Sequence, residues 1–596
     1  MYMKKIIYII VSFVLLFSFA SCEQMMGDFL DKAPGVDVTE DTIFSTKTQV
    51  ETAVTAMYRY GMHSVLPRQE LNYTGFQYAP LAAGCDECES GKPWPDPQKW
   101  NVSDITAENI TSVEDRRFSL RFIAMRKANI VLERVDAVAE LSADYKSQVK
   151  GEALFIRALN KFEMFKRYGG IVIVDKKLVV GDEFAIPRSS IQKTVESIVA
   201  DCDLAITLLP NVYPATMRGR ATKGAAMALK SRTLLTAASP LFNAATPYLP
   251  MENADNNKLI CYGDVDNNRW TAAADAAKAL IDWAAENGVK LIDDKGVDAS
   301  YRYVFEVNDN AEVILANKMQ GAVGTYQVGP WRFLVPFGFD SRTWQVGNQM
   351  TLNFLKKYEK KDGTAMVWDN TGSSVMPLFD NLDRRYMQTV GSVGTKWNDQ
   401  INPVRSDVGG DQYWTDVAKG NNISLTGMWV MKFVPQSMSL KDGTNGQQAM
   451  PNDIIFRLGE AYLNYAEALN EFNSAPNADA YNAINTIRAR AGQPSLPNGL
   501  TKEQFRERVR NERAVELYFE DIRFWDIRRW KIAEDDGVMK GDFYGFEFKA
   551  DNFDAPTKYS YEIKKFETRT FLPKMYLHPY LRSEVLKGYI VQNPGY

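Results

Sequence analysis

The stretch Ile454-Ile-Phe-Arg457-Leu-Gly-Glu460-Ala-Tyr462-Leu-Asn-Tyr465-Ala-Glu467-Ala-Leu469-Asn-Glu-Phe472 sets Leu458, Tyr462, Tyr465 and Leu469 at three- and four-residue steps. That spacing puts them on one face of a helix. Working outward, 478–490 and 502–519 read as further helices of a C-terminal set. Upstream, 151–168 repeats the pattern with Phe155, Ala158, Leu159, Phe162, Phe165 and Tyr168. Gly169-Gly170 stops that helix, and Ile171 to Val174 reads as a short buried strand or extended run. Windows 49–60, 113–138, 190–209, 221–238 and 271–283 are helical by the same criterion. The helices come in pairs joined by short polar or Gly/Pro connections, with alanines at contact positions. This fits tetratricopeptide-type pairs or an irregular helical domain, and no clean 34-residue repeat separates the two.

Two stretches break the helical pattern. From about Leu291 to Asn452, Trp331, Trp344, Trp368, Trp397, Trp414 and Trp429 are scattered among Gly, Asn, Asp and Ser. A similar stretch, 72–109, holds Tyr73, Tyr78, Trp94 and Trp100. Irregular segments of this length in a folded chain usually carry function. The expected architecture is mainly α: a helix-pair scaffold with long irregular, aromatic-rich inserts and a few short strands.

Composition narrows the function. The 596 residues carry 70 Lys and Arg against 74 Asp and Glu, a net charge of −4. A chain that binds phosphate backbones needs a basic surface, so nucleic acid is not the expected partner. Only two histidines occur, His63 and His578, too few for a multi-histidine zinc site. H-E-x-x-H and G-x-S-x-G are absent. Gly219 and Gly224 have P-loop spacing, but Ala225-Ala226 stand where Lys and Ser/Thr are needed. Asp264-x-Asp266-x-Asn268 opens like a calcium loop, but Arg269 replaces its glycine. No metal, cofactor or catalytic residue is expected. A glycosidase needs only two carboxylates in a cleft, so a surface hydrolase is the competing class, and a purely structural envelope protein a third.

The N-terminus points to export. Lys4-Lys5 precedes the uncharged run Ile6–Ala20, too short to span a bilayer but suited to a signal peptide. Phe19-Ala20-Ser21-Cys22 then resembles a bacterial lipoprotein box. Residues 1–21 are read as the signal peptide, Cys22 as the lipidated residue, and 22–40 as a polar tether. Cys85-x-x-Cys88 lacks the second pair that zinc requires. A local disulfide or two free thiols remain open, as does a Cys202–Cys261 pair.

The C-terminal motifs resemble the SusD/RagB family. They are Arg457-x-x-Glu460 through Tyr465-Ala-Glu467-Ala, Asn485-x-Ile-Arg488-x-Arg490-Ala-Gly, Glu512-Arg513-x-x-Glu516-Leu, and Arg523-x-x-Asp526-x-Arg-Arg529-Trp. The tail Gln592-Asn593-Pro594-Gly595-Tyr596 fits too. So do Gly151-Glu152-Ala153, Tyr168-Gly169-Gly170 and Gly219-Arg220 in the first half. His578-Pro579-Tyr580-Leu581 departs from the family pattern, so the resemblance does not define the tail's path there. The resemblance implies a lipid-anchored protein of the cell outer membrane, facing the exterior, with a tetratricopeptide-like scaffold. Residues 41–245 and 246–596 are its two expected regions, the second holding the insert at about 291–452. Such a protein captures a glycan, or in some members a peptide. It works as a lid on a SusC-like TonB-dependent transporter barrel and does no chemistry. By position in the inserts, Trp94, Trp100, Tyr326, Trp331 and Trp344 are the candidate binding aromatics, with Asp86, Asn101 and Arg332 as polar partners. A sugar's C–H face pairs with a flat ring, and edge polar groups satisfy its hydroxyls. The charge-rich run 506–529 reads instead as an ion-pair network tying the last helices together.

Overall fold

A computed structural model describes residues 43–66, 75–76, 79–91, 95–318, 334, 347–413, 424–437 and 452–596. Eight helices stack in chain order: Lys47–Gly61, Phe118–Arg134, Ala143–Tyr168, Ile191–Leu208, Lys223–Ala238, Asn268–Glu286, Leu458–Phe472 and Ala478–Arg490. Each packs on the next. The sixth and seventh are neighbours in space although the long insert separates them in sequence. A ninth helix, Lys502–Glu516, closes against the seventh and eighth.

Local chemistry sets the helix starts. The side chains of Thr46, Ser142, Ser190, Thr222, Asn477 and Thr501 each accept the amide three residues on. Each thereby satisfies a donor that the first turn leaves open. Gly169, at φ 78°, ends the 26-residue helix Ala143–Tyr168, a backbone conformation that favours glycine. Gly224 has a different role. A Cβ there would sit 2.1 Å from the Trp283 indole, so the glycine lets two helices meet across a tryptophan. The P-loop-like spacing is therefore a packing feature.

Three small sheets organise the inserts. Cys88–Ser90, Asn348–Met350, Met428–Val430 and Val390–Ser392 form a four-stranded sheet in that order. Val313–Ala316 pairs antiparallel with Ile454–Arg457. Gly541–Ala550 and Tyr559–Arg569 form a long hairpin that also pairs with Thr371–Gly372.

One open alternative is decided and two expectations need correction. Ile171–Val174 forms no strand; Ile171 and Val172 pack against Tyr580 and Ile590 instead. Residues 454–457 are a strand, and the helix begins only at Leu458. The helix from Lys502 stops at Glu516 with its cap at Leu517, and Phe519 beyond it takes a positive φ of 61°. Of the open cysteine alternatives, the structure has free thiols: Cys85, Cys88, Cys202 and Cys261 are all unpaired and buried.

Gly224→Ala should lower stability by about 1–3 kcal/mol, the usual cost of overpacking a tight helix contact. Urea unfolding of the two proteins measures the difference.

Candidate ligand-capture site

The family-like arginines and glutamates do not face solvent. Glu516 is fully buried. It pairs with Arg457 at 2.7 Å, with Arg385 at 2.9 Å and with Arg490. Arg457 also holds Glu312 at 2.8 Å and Glu520 at 2.6 Å. Lys432 joins Glu520 at 2.7 Å, and Arg488 links Glu512 to Glu359, both at 2.9 Å. On the neighbouring face, Arg529 spans Glu467 and Asp526, and Arg513 reaches the same two carboxylates. Burial alone would raise the Glu516 carboxyl. Arg490, Arg457 and Arg385 outweigh it and hold the group well below the usual carboxylate range. Burial dominates at Lys432 and brings its ammonium down to about 8 despite Glu520. Breaking one partner in such a network typically costs about 3–5 kcal/mol. The motif residues are therefore structural.

What the network connects is the basis of the site. Glu312 precedes the strand Val313–Ala316, Arg457 ends its partner strand, and Lys432 follows Met428–Val430. Arg385 lies in the helix Arg384–Thr389, just before the strand Val390–Ser392. A second tie reaches the first insert through the Cys85-Asp86-Glu87-Cys88 turn. Arg523 grips Asp86 at 3.0 and 2.8 Å, and the Phe519 amide donates to Glu87 at 2.8 Å. Burial raises the Glu87 carboxyl to about 8. Asp86 is held low because Arg523 and Lys357 overcome its burial. One short stretch, 512–523, thus grips the base of each insert.

The bases also meet one another. The Asn317 amide donates to the Asp453 carbonyl at 2.8 Å, and the Asn317 side chain to the His63 carbonyl at 2.9 Å. The Ser64 hydroxyl donates to the Asp453 carboxylate at 2.6 Å. The Gly91 amide donates to the Gly347 carbonyl at 3.1 Å, continuing the Ser90–Asn348 pairing. So the described chain close to residues 67, 92, 319, 346 and 451 is held by hydrogen bonds between the insert bases.

Among the sequence candidates, three turn out to be core residues. Trp100 is 1% exposed and packs against Phe524, Phe76 and His578, with the Arg528 guanidinium 4.8 Å from its ring. Asp86 is spent on Arg523. Asn101 is buried and donates to the Ala83 carbonyl at 3.2 Å. A sugar cannot reach any of them. Trp94, Tyr326, Trp331, Arg332 and Trp344 lie outside the described residues. Trp397 and Trp429 are also buried, so insert tryptophans at the frame serve packing. The long-range partners Glu312, Glu359, Arg385 and Lys432 were not identified from sequence. They lie 88 to 178 residues from the arginines and glutamates they serve, and nothing in local spacing marks such a pair.

Metal and membrane features are equally specific. Among the described residues no cluster of His, Cys, Asp and Glu could hold a metal ion. In the calcium-like loop, Asp264 pairs with Arg269 at 2.7 Å and Asp266 caps the Asn268 amide. Among the described residues no helix is long and apolar enough to cross a membrane.

Comparison with known proteins agrees with this architecture. Residues 311–596 match a profile described as SusD family, and residues 28–235 match one described as starch-binding, associating with outer membrane. A SusD-like protein of Formosa agariphila is 24% identical over 554 residues, covering 89% of this chain and 91% of that one. The crystal structure of a SusD-like protein from Bacteroides fragilis superposes with a TM-score of 0.74 at 25% identity, covering 95% of this chain and all of the other. A laminarin-binding SusD-like protein superposes at 0.60 with 19% identity, covering 93% of this chain and all of the other.

Glu87 gives this frame a pH dependence. Its folded value, about 8, lies above that of an unfolded glutamate. Its contribution to stability is therefore complete below the unfolded value and is lost as the pH rises to about 8. Between pH 6 and 8.5 the urea midpoint should fall more steeply for the native protein than for Glu87→Gln. Equal slopes would show that Glu87 is already ionised.

Proposed function

The chain belongs to the SusD family, and from that premise we propose that it is an outer-membrane lipoprotein that captures a glycan at its inserts. It hands the glycan, unchanged, to a SusC-like TonB-dependent transporter. Cys22 carries the lipid, and several acyl chains on one residue give stable anchoring. The capture surface is built from Trp94, Tyr326, Trp331 and Trp344, with Arg332 at its edge.

One observation carries this reading. The Gly91–Gly347 hydrogen bond ties together the points from which two of those tryptophans extend. Trp94 and Trp344 are each three residues from that bond, and three residues span at most about 11 Å. Tyr326, Trp331 and Arg332 lie between Lys318 and Gly347, on a segment whose two ends are held by the same frame. Rings tethered to one rigid base suit a ligand that must be gripped along several residues. The family profile described as starch-binding and the laminarin-binding structural neighbour support a polysaccharide over a peptide.

The test uses protein lacking its first 22 residues, titrated against a glycan panel that includes laminarin and starch oligosaccharides, with peptides in parallel. At least one glycan should bind, and Trp331→Ala combined with Trp344→Ala should weaken it tenfold or more, about 1.4 kcal/mol. No reducing ends should appear on prolonged incubation; their release would establish the hydrolase reading, and binding of peptides alone the peptide reading. In cells, an alkyne-tagged palmitate should label the native protein and not Cys22→Ser.

A further inference from the structure

Surface loops ordinarily turn polar side chains to water. The segment 174–185 does the reverse. Polar side chains of the helix Phe118–Arg134 clamp its backbone. The Asn129 side-chain amide donates to the Val174 and Lys176 carbonyls at 3.0 and 2.9 Å. The Arg126 guanidinium donates to the Leu178 carbonyl at 2.6 Å, and the Glu133 carboxylate accepts the Lys177 amide at 2.8 Å. Beyond the clamp, Val179-Val180-Gly181-Asp182 closes a turn, with the Asp182 amide donating to the Val179 carbonyl at 3.0 Å. Gly181 takes φ 99° with open space around it, so the glycine serves the turn and not packing. The turn holds Val180 wholly in solvent, with Val179 49% and Phe184 57% exposed. Ile123, one helical turn before Arg126, is 40% exposed. An apolar cluster held outward in this way marks a contact surface.

The polar groups of the tip are already matched. Lys176 pairs with Asp182 at 3.0 Å, the Asp182 carboxylate accepts the Val179 amide at 2.9 Å, and Glu183 accepts the Ala185 amide at 2.7 Å. Such a tip loses few hydrogen bonds on leaving water. Its size selects the partner. A stable protein interface covers ~800 Å² on each side, far more than four side chains present. A bilayer needs no matching surface, only apolar side chains to bury at its headgroup boundary.

The tip also lies near the start of the described chain. The Lys47 amide donates to Glu140, just past the end of Phe118–Arg134, and Lys177 is tied to Glu133 in the last turn of that helix. About 20 residues separate Cys22 from this point and extend at most about 70 Å. A lipid on Cys22 thus brings this helix end within reach of the membrane. Resting on that anchor, we propose that the tip is a membrane wedge: Val179, Val180 and Phe184 enter the headgroup boundary of the bilayer and orient the anchored protein on it.

The test supplies its own tether, so its failure is distinct from failure of Cys22 lipidation. Protein beginning at Glu23, with an N-terminal hexahistidine tag, is bound to vesicles of phosphatidylethanolamine, phosphatidylglycerol and a nickel-chelating lipid. Val180→Cys is labelled with nitrobenzoxadiazole, Cys85, Cys88, Cys202 and Cys261 being buried. Its emission should move to shorter wavelength on the vesicles, and nitroxide-bearing lipid should quench it at least twofold. The same label at Val367→Cys, an exposed valine of the long insert, should do neither. With the label at Val179→Cys, adding Val180→Asp and Phe184→Asp should remove the quenching, circular dichroism showing the variant folded. The proposal is overturned if the label at position 180 neither shifts nor is quenched, or if the label at position 367 responds equally. A response at position 180 only on adding a SusC-like barrel would also overturn it and make the tip a protein contact.

Discussion

Glu516 is a negative charge with no access to water, and its three arginine partners come from three separate parts of the chain. Arg385 lies within the long insert, Arg457 at the end of the strand that closes it, and Arg490 on the eighth helix. None of the four groups could be buried alone, because an unpaired charge in the interior is far costlier than a paired one. The helices and the insert can therefore reach their folded positions only together. Buried pairs of this kind add little net stability over an apolar core. Their effect here is to fix register between a helical stack and two inserts whose described helices and strands are short.

The same pairing runs through the rest of the frame. The buried carboxylates of the frame are each committed to arginine, lysine or a backbone amide. The described frame is occupied in holding the bases of the two inserts.

The helical scaffold was legible because nine windows carry a 3.6-residue apolar period, and Ser, Thr or Asn stands before most of the helices they mark. Which face is buried was less legible. In Leu458–Phe472 the apolar stripe of Tyr462, Tyr465 and Leu469 is only partly covered, while Glu460, Asn464 and Glu467 are buried. Periodicity ranks faces by hydrophobicity and cannot see an arginine arriving from another helix. The hairpin 541–550 with 559–569 went unread. Its signal is the alternation of Phe546 with Phe548 and of Tyr559, Tyr561 and Ile563, interrupted by a register shift after Phe543. Of the candidate aromatics, Trp94, Tyr326, Trp331 and Trp344 lie outside the described residues. Position in the inserts also selected Trp100, whose burial is decided by Phe524 and His578 more than 400 residues later.

Native-state hydrogen exchange at the insert bases tests the central claim most directly. If the buried charges lock frame and scaffold into one cooperative unit, the amides of Asn317, Gln349 and Trp429 exchange only through global unfolding. Their rates would then match those of the Ala143–Tyr168 helix, and Glu516→Gln would speed the base amides far more than the helix. Exchange at those three amides orders of magnitude faster than in the helix of the unmodified protein would contradict the account. The inserts would then be loosely attached loops, and no rigid frame would stand behind the capture surface.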